Sequence, residues 1–238
     1  MKINIGRISS AAARQSWRMA YRLVKWLLIV CLAIMLGFTW FAVSSLPPLQ
    51  PWHTERLSGE FKAYKDSGID FNGYMQREKQ LFDNMDAEIA TWDKQDEAFI
   101  YSRYNQAGVF NKLAEGAPLN RSYRLMAANP VGHALMIHGL TDSPYSMKAM
   151  AETLNARGFE VTVLRLPGHG TFPSMMTEMT LRDWNAAVRI AARDVAARTP
   201  PGRPFYLAGH STGGTLALQY ALDALDDKSL RMPDRLLL

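Results

Sequence analysis

The chain has 238 residues, 48% hydrophobic and 21% charged, with one cysteine and a formal net charge of +5. These are the proportions of a globular chain. The basic excess invites a nucleic-acid reading, and its distribution excludes one. Residues 1–25 carry Lys2, Arg7, Arg14, Arg18, Arg22 and Lys25 with no acid, and the remainder is close to neutral with 22 acids.

Trp26 to Val43 is 18 residues without a charge and with Thr39 as its polar residue. Extended to Leu46, this stretch has the roughly 20 residues that a spanning helix needs. Positive charge before it and none after it until Arg56 predicts a cytoplasmic basic tail (1–25), a transmembrane signal-anchor (26–46) and the rest of the chain outside. Trp26, Trp40 and Trp52 fall near the expected interfaces. Ala42-Val43-Ser44 could serve as a cleavage site of a signal peptide. The apolar run exceeds the usual 7 to 15 residues of a signal core, and its basic flank is long, so an uncleaved anchor is the expectation. Cys31 sits inside the apolar run, where it is expected to be a small packing or lipid-facing residue. A lone cysteine forms no intrachain disulfide and is silent about compartment.

Ser44 to Pro51, rich in proline, reads as a stiff exit linker. Asp70-Phe71-Asn72-Gly73 is a turn signal. Tyr74, Leu81, Phe82, Met85, Ile89 and Trp92 then recur at helical steps and predict an amphipathic helix to about residue 98. Arg77, Glu78, Lys79, Asp83, Asp86 and Glu88 are expected on its other face. Their mixed signs favour packing on a protein core over lying in a membrane interface. Residues 47–115 are therefore a linker and helical region, and residues 116–238 the main domain. No repeat or low-complexity segment interrupts them.

In that domain Ser122–Ala127 reads as an early strand, and Asn129-Pro130 turns the chain into an apolar strand ending at His138. Pro144 opens a helix with Met147, Met150 and Leu154 as its buried stripe and Gly158 as its stop. Phe159–Leu164 is a strand running into Arg165-Leu166-Pro167-Gly168-His169-Gly170. Thr180-Leu181-Arg182-Asp183 is a capping box, followed by a stripe of Leu181, Trp184, Val188, Ala191 and Val195 and a Pro200-Pro201 stop. The methionines and Trp184 are expected as core, not as a cofactor box. Strand-helix alternation of this kind predicts a mostly parallel sheet covered on both faces.

Phe205–Gly209 is a further short strand, and Thr215–Leu222 a helical run. Between them lies Gly209-His210-Ser211-Thr212-Gly213, the pattern of a nucleophile elbow. A serine raised above a sheet needs a strained turn, and a Cβ two residues before or after it would strike the neighbouring elements. The following helix would point its positive end at a reacting carbonyl. Met232 to Leu238 reads as a turn opening one more apolar strand.

Three motifs in this order, His138-Gly139, Pro167-Gly168-His169-Gly170 and the serine pentapeptide, resemble the α/β-hydrolase family. The resemblance covers roughly residues 120–238 and is strongest to membrane-associated esterases, monoacylglycerol lipases and lysophospholipase-like enzymes. It implies a doubly wound, mostly parallel α/β sheet carrying Ser211 as nucleophile, with the backbone amides of Leu140 and Thr212 as oxyanion donors. It also implies that His138 and His169 brace loops. No cofactor or metal is implied. In the family's order an acid and then a histidine follow the serine. Here His53, His133, His138, His169 and His210 all precede Ser211. Asp223, Asp226, Asp227 and Asp234 come too early for the acid. The triad acid and histidine are therefore not expected within these residues. The chain is expected to be an N-terminal piece of a longer protein, inactive by itself, whose sheet stops at the strand begun by Leu236, just after the elbow helix. The expected activity is hydrolysis of carboxylic esters, lipid-like ones included, at the outer face of a membrane. The alternatives are an acyltransferase on the same fold and a non-catalytic, membrane-tethered binding domain. Epoxide hydrolase and dehalogenase chemistry is disfavoured, because those relatives carry an aspartate where Ser211 stands.

Overall fold

The computed structural model describes residues 10–66, 68–108 and 120–238. Lys2 and Arg7 of the basic tail and the expected boundary at residues 115–116 lie outside them. The chain divides after Leu49 into two units.

The first unit is one helix, α1 (Ser10–Ser44). Its Arg14–Ser44 part is long and apolar enough to cross a membrane. The helix begins 16 residues before the expected span, so the described part of the basic tail is helical. Ala11, Ala12, Ala13 and the arginines are good helix formers, and no proline or glycine separates them from the apolar run. It ends at Ser44, two residues short of the expected Leu46. There the Ser44 and Ser45 hydroxyls donate to the Phe41 and Ala42 carbonyls, just ahead of Pro47-Pro48.

The second unit begins with a short helix, α2 (Pro51–Thr54), whose first residue is the proline expected in the linker. Proline suits this position because the missing N–H would have had no partner. Helix α3 (Phe71–Ala90) corrects the predicted turn. Asp70 is its N-cap, accepting from the Gly73 amide at 2.7 Å, so Phe71-Asn72-Gly73 forms the first helical turn. The helix stops at Ala90 rather than near residue 98, and Asp96 caps a separate turn, α4 (Glu97–Ile100). Trp92 lies beyond the end of α3 and packs on Trp52, Phe99, Tyr104 and Phe172. Glu78 was expected among the solvated charges, yet it is buried.

Five strands form one sheet: β1 (Tyr123–Leu125), β2 (Gly132–Ile137), β3 (Phe159–Leu164), β4 (Phe205–Gly209) and β5 (Arg235–Leu237). Their order is β1-β3-β2-β4-β5, with β1 antiparallel and every other pairing parallel. All six residues of β2 are buried, as the central strand of a sheet covered on both faces requires. Side chains alternate between the faces. Leu135, Ile137, Leu164 and Leu207 face helices α6 (Leu181–Arg198) and α7 (Thr212–Asp226), together with Phe61, Phe71 and Tyr74. Ala134, Met136, Val161, Val163 and Ala208 face the other way, towards α5 (Lys148–Ala156) and its leading 3₁₀ turn Pro144–Met147. Helix α3 thus packs on the core through Phe71 and Tyr74, as its charge pattern suggested. Two expected stripe residues are not in the core: Met150 is 39% exposed and Leu181 60% exposed. Ala151 takes the buried place on α5, and Leu181 stands in the first turn of α6, beyond the sheet's reach.

The capping box of α6 does more than start a helix. The Asp183 carboxylate accepts from the Thr180 amide at 2.9 Å, the Thr180 hydroxyl at 2.7 Å and the Ala63 amide at 2.8 Å, joining α6 to the segment that precedes α3. Burial pushes its pKa up, but the Ala63 amide and Thr180 together hold it below 3.8. A carboxylate with a depressed folded pKa contributes stability above its unfolded value that is lost as pH falls through the folded value. Asp183→Asn should therefore destabilise the detergent-solubilised protein by about 1–3 kcal/mol at pH 7. In urea unfolding the gap from the wild type should narrow as pH is lowered below 4; a gap that is constant with pH would contradict the assignment.

Candidate active site

Strands β2 and β4 run parallel in register, with Ile137 opposite Gly209, so the loops leaving them emerge side by side. The His210 amide donates back to the Ile137 carbonyl at 3.0 Å. At Ser211 the backbone takes φ 53° and ψ −117°, and among the described residues no other non-glycine has a positive φ. Such a conformation is strained and persists where the surroundings enforce it.

Two glycines provide that enforcement. A Cβ on Gly209 would lie 2.2 Å from the Gly213 carbonyl oxygen, and one on Gly213 would lie 2.2 Å from the Ile137 oxygen and 2.6 Å from that of His138. The start of α7 is therefore pressed against the end of β2, closer than any side chain permits. Gly139 completes the contact, since its Cβ would be 3.6 Å from the Ser211 Cβ. The result is an exposed Ser211 with the Gly139–Leu140 peptide and the first turn of α7 beside it. Among the described residues, the amides of Leu140 and Thr212 donate no hydrogen bond. A free amide at the first position of a 15-residue helix also carries the positive end of the helix dipole.

Behind this face two histidines face each other, with ring centroids 5.0 Å apart. The Leu166 amide donates to His138 Nε2 at 3.0 Å, so the ring's proton is on Nδ1, which donates to the Gly139 carbonyl at 2.8 Å. Burial, with His169 as neighbour, pushes His138 down to about 3, and it is neutral at pH 7. His169 Nε2 is 2.6 Å from the Leu140 carbonyl and Nδ1 3.1 Å from that of Pro167. Burial holds its pKa below the ordinary value too. Gly168 and Gly170 both have positive φ, and a Cβ on Gly170 would stand 2.5 Å from the Asn120 oxygen. The motif residues named from the sequence therefore meet in one place. His210 is exposed next to Ser211. His53 accepts from the Gln50 amide and His133 is buried at the start of β2, so neither joins this cluster.

A charged group beneath the loop was not foreseen. Arg165 is fully buried, its guanidinium paired with Glu60 at 2.9 and 3.0 Å, and its Nε lies 3.3 Å from Glu78. Glu60 comes from a segment with no motif of its own, and nothing in the order of residues marks it.

Gly213→Ala must push its Cβ into backbone oxygens that cannot move without breaking the sheet. A loss of about 3 kcal/mol or more, the upper range for overpacking, is expected in thermal unfolding. Gly202→Ala is the comparison, because its φ of +80° imposes strain while nothing lies within 4 Å. It should cost about 1 kcal/mol. Equal effects would mean that the contact with Ile137 is not close.

Residues 134–236 match the model of the Alpha/beta hydrolase family. A thermostable monoacylglycerol lipase of Bacillus sp. (strain H-257) is 38% identical over 92 residues, 39% of this chain and 35% of the relative. Esterase PIR7B of Oryza sativa subsp. japonica is 30% identical over 97 residues, 40% of this chain and 35% of the relative. The chain thus spans about a third of the length of these curated relatives. A solved structure described as "LipS and LipT, two metagenome-derived lipolytic enzymes" is 31% identical with a TM-score of 0.41, covering 46% of this chain and 42% of that one. Sheet order, glycine contacts and the match to the alpha/beta hydrolase family model fall on the same stretch, residues 134–236.

Proposed function

We propose that the protein is a serine hydrolase of carboxylic esters in which Ser211 is the nucleophile and the Leu140 and Thr212 amides receive the oxyanion. The observation that carries the reading is the strained apex at Ser211, exposed and flanked by those two amides. A serine is lifted into such a conformation at a cost, and the cost is repaid where its hydroxyl must reach a substrate. In the reaction Ser211 Oγ adds to the ester carbonyl as a base takes its proton, and the oxyanion forms against the two amides. Collapse expels the alcohol with a proton and leaves an acyl-serine, which water then cleaves to the acid. Each amide is worth about 3 kcal/mol of transition-state stabilisation.

None of the five histidines is assigned as the base. His138 has both ring nitrogens engaged, and His169 has a backbone carbonyl at each. His53 and His133 sit in other surroundings, and His210 donates its backbone rather than its ring to this region. A lipid-like ester is the favoured substrate class, supported by the name of the Bacillus relative and by α1, a helix that suits a membrane anchor. On this reading residues 26–46 span the bilayer, the basic tail lies in the cytoplasm and the hydrolase domain outside.

The protein made from its complete coding sequence should react with a fluorophosphonate probe, and Ser211→Ala should abolish the labelling. Labelling that survives the substitution removes Ser211 from the role. For topology, a reporter active only outside the cytoplasm and fused after residue 60 should be active. Activity of a cytoplasm-only reporter at the same point would reverse the orientation.

A further inference from the structure

We infer that Glu60 is a positioning residue for the Leu140 amide, holding through Arg165 the loop on which the two bracing histidines depend. The inference rests on the reading of Ser211 and the two amides given above. Glu60 lies well before residues 134–236, the stretch matched by the family model, so nothing in that match assigns it a task.

The connection can be followed bond by bond. The Gly139 carbonyl and the Leu140 N–H belong to one planar trans peptide and point in opposite directions. His138 Nδ1–H grips the carbonyl at 2.8 Å, which turns the amide away from the ring and fixes its direction. His169 holds the next carbonyl, that of Leu140, at 2.6 Å. Both grips depend on the loop from Arg165 to Gly170. Leu166 supplies the amide that sets the His138 tautomer, and His169 sits within the loop. That loop has no regular hydrogen-bonding ladder, and two of its residues have positive φ.

Glu60 stands in for such a ladder. One carboxylate oxygen accepts from the Gly168 amide at 2.8 Å and from Arg165 Nη1 at 3.0 Å. The other accepts from Arg165 Nη2 at 2.9 Å and from the Phe61 amide at 2.8 Å, which anchors the side chain to its own backbone. The same Arg165 Nη1 reaches on to the His169 carbonyl at 2.7 Å. Glu60, Arg165, Gly168, His169 and His138 are all buried, so the bonds of Glu60 and Arg165 have no water as a substitute. Glu78, also beside Arg165, is different. Its carboxylate accepts from the Ser122 amide and hydroxyl and lies 3.3 Å from Arg165 Nε, at the start of the loop, but it does not reach Gly168 or His169. The two carboxylates share a cation but have separate duties.

The test uses detergent-solubilised protein from the complete coding sequence. Active sites are titrated with a fluorophosphonate, and hydrolysis of p-nitrophenyl butyrate is expressed per titrated site. A misaimed oxyanion donor acts in the transition state, so Glu60→Gln should lower kcat per site about 10- to 100-fold. KM should stay within about twofold, because the ground state does not use the donor. Arg165→Lys keeps the buried positive charge but loses the fork, and should move kcat per site in the same direction. Glu78→Gln should leave kcat per site within about threefold. An unchanged kcat per site in Glu60→Gln overturns the proposal, as does an equal loss in Glu78→Gln. Absence of titratable sites in both Glu60→Gln and Arg165→Lys assigns the group to folding alone and overturns it too. If Ser211→Ala in the unaltered background still titrates and turns over, the serine reading itself has failed; a failure confined to Glu60 leaves that reading standing.

Discussion

A guanidinium with 1% of its surface exposed is the constraint around which the second unit is assembled. A buried charge is tolerable when paired and hydrogen-bonded, and removing one partner of such a pair costs several kcal/mol. Arg165 meets the condition with carboxylates from two separate segments, Glu60 ahead of α3 and Glu78 within it. Tyr74, from the same helix, donates its hydroxyl to the Arg165 carbonyl at 2.7 Å. The segment from Glu60 to Glu78 is thus joined to the sheet by electrostatics as well as by Phe61 and Phe71. One cation against two carboxylates leaves an imbalance, and burial resolves it unequally. Desolvation pushes both carboxyls up, but Arg165 and the Gly168 and Phe61 amides bring Glu60 below its ordinary value, while Glu78 stays above its own.

The elbow is organised by a different constraint, the closeness of backbone to backbone. Gly209 and Gly213 let α7 begin against the end of β2, and that approach forces Ser211 to the apex. Here the sheet's parallel register is part of the site. It brings the strand ends at Ile137 and Gly209 level, so the His138-Gly139 loop and the elbow share one edge. Shifting either strand by a residue would separate Leu140 from Ser211 and turn buried side chains to the wrong face.

These two constraints differ in how visible they are beforehand. Glycine two residues either side of a serine is a local pattern, because the contact it permits is made by the motif itself. The capping box at Thr180 and the strand alternation are local in the same sense, and all three were legible. The boundaries of α3 were not, because Asp70 and Gly73 can build either a free turn or a capped first helical turn. What decides between them is Phe71 and Tyr74 packing on the sheet. Met150 and Leu181 failed as core residues for a related reason, since the face a helix buries depends on where it docks. The Glu60–Arg165 pair spans 105 positions and has no periodicity at all. Glu78 was assigned to solvent because charge normally goes there, and its partner lies on another element.

The histidines show how one residue type is sorted between two duties by its bonds. A general base must keep a ring nitrogen open toward the proton it takes, with a pKa near the working pH. His138 has neither: one nitrogen accepts from Leu166, the other donates to Gly139, and burial drives its pKa to about 3. The same properties make it a good brace. A neutral ring with a fixed tautomer donates in one direction, and with its pKa at about 3 it stays neutral around pH 7, so the peptide it holds does not swing there. His169 follows the same logic, its Nε2 turned to the Leu140 carbonyl in a site that disfavours the imidazolium. A brace that titrated near neutrality would tie the direction of the Leu140 amide to the protonation of the very reaction it supports. Burying both rings shifts their titration away from neutrality, towards acid.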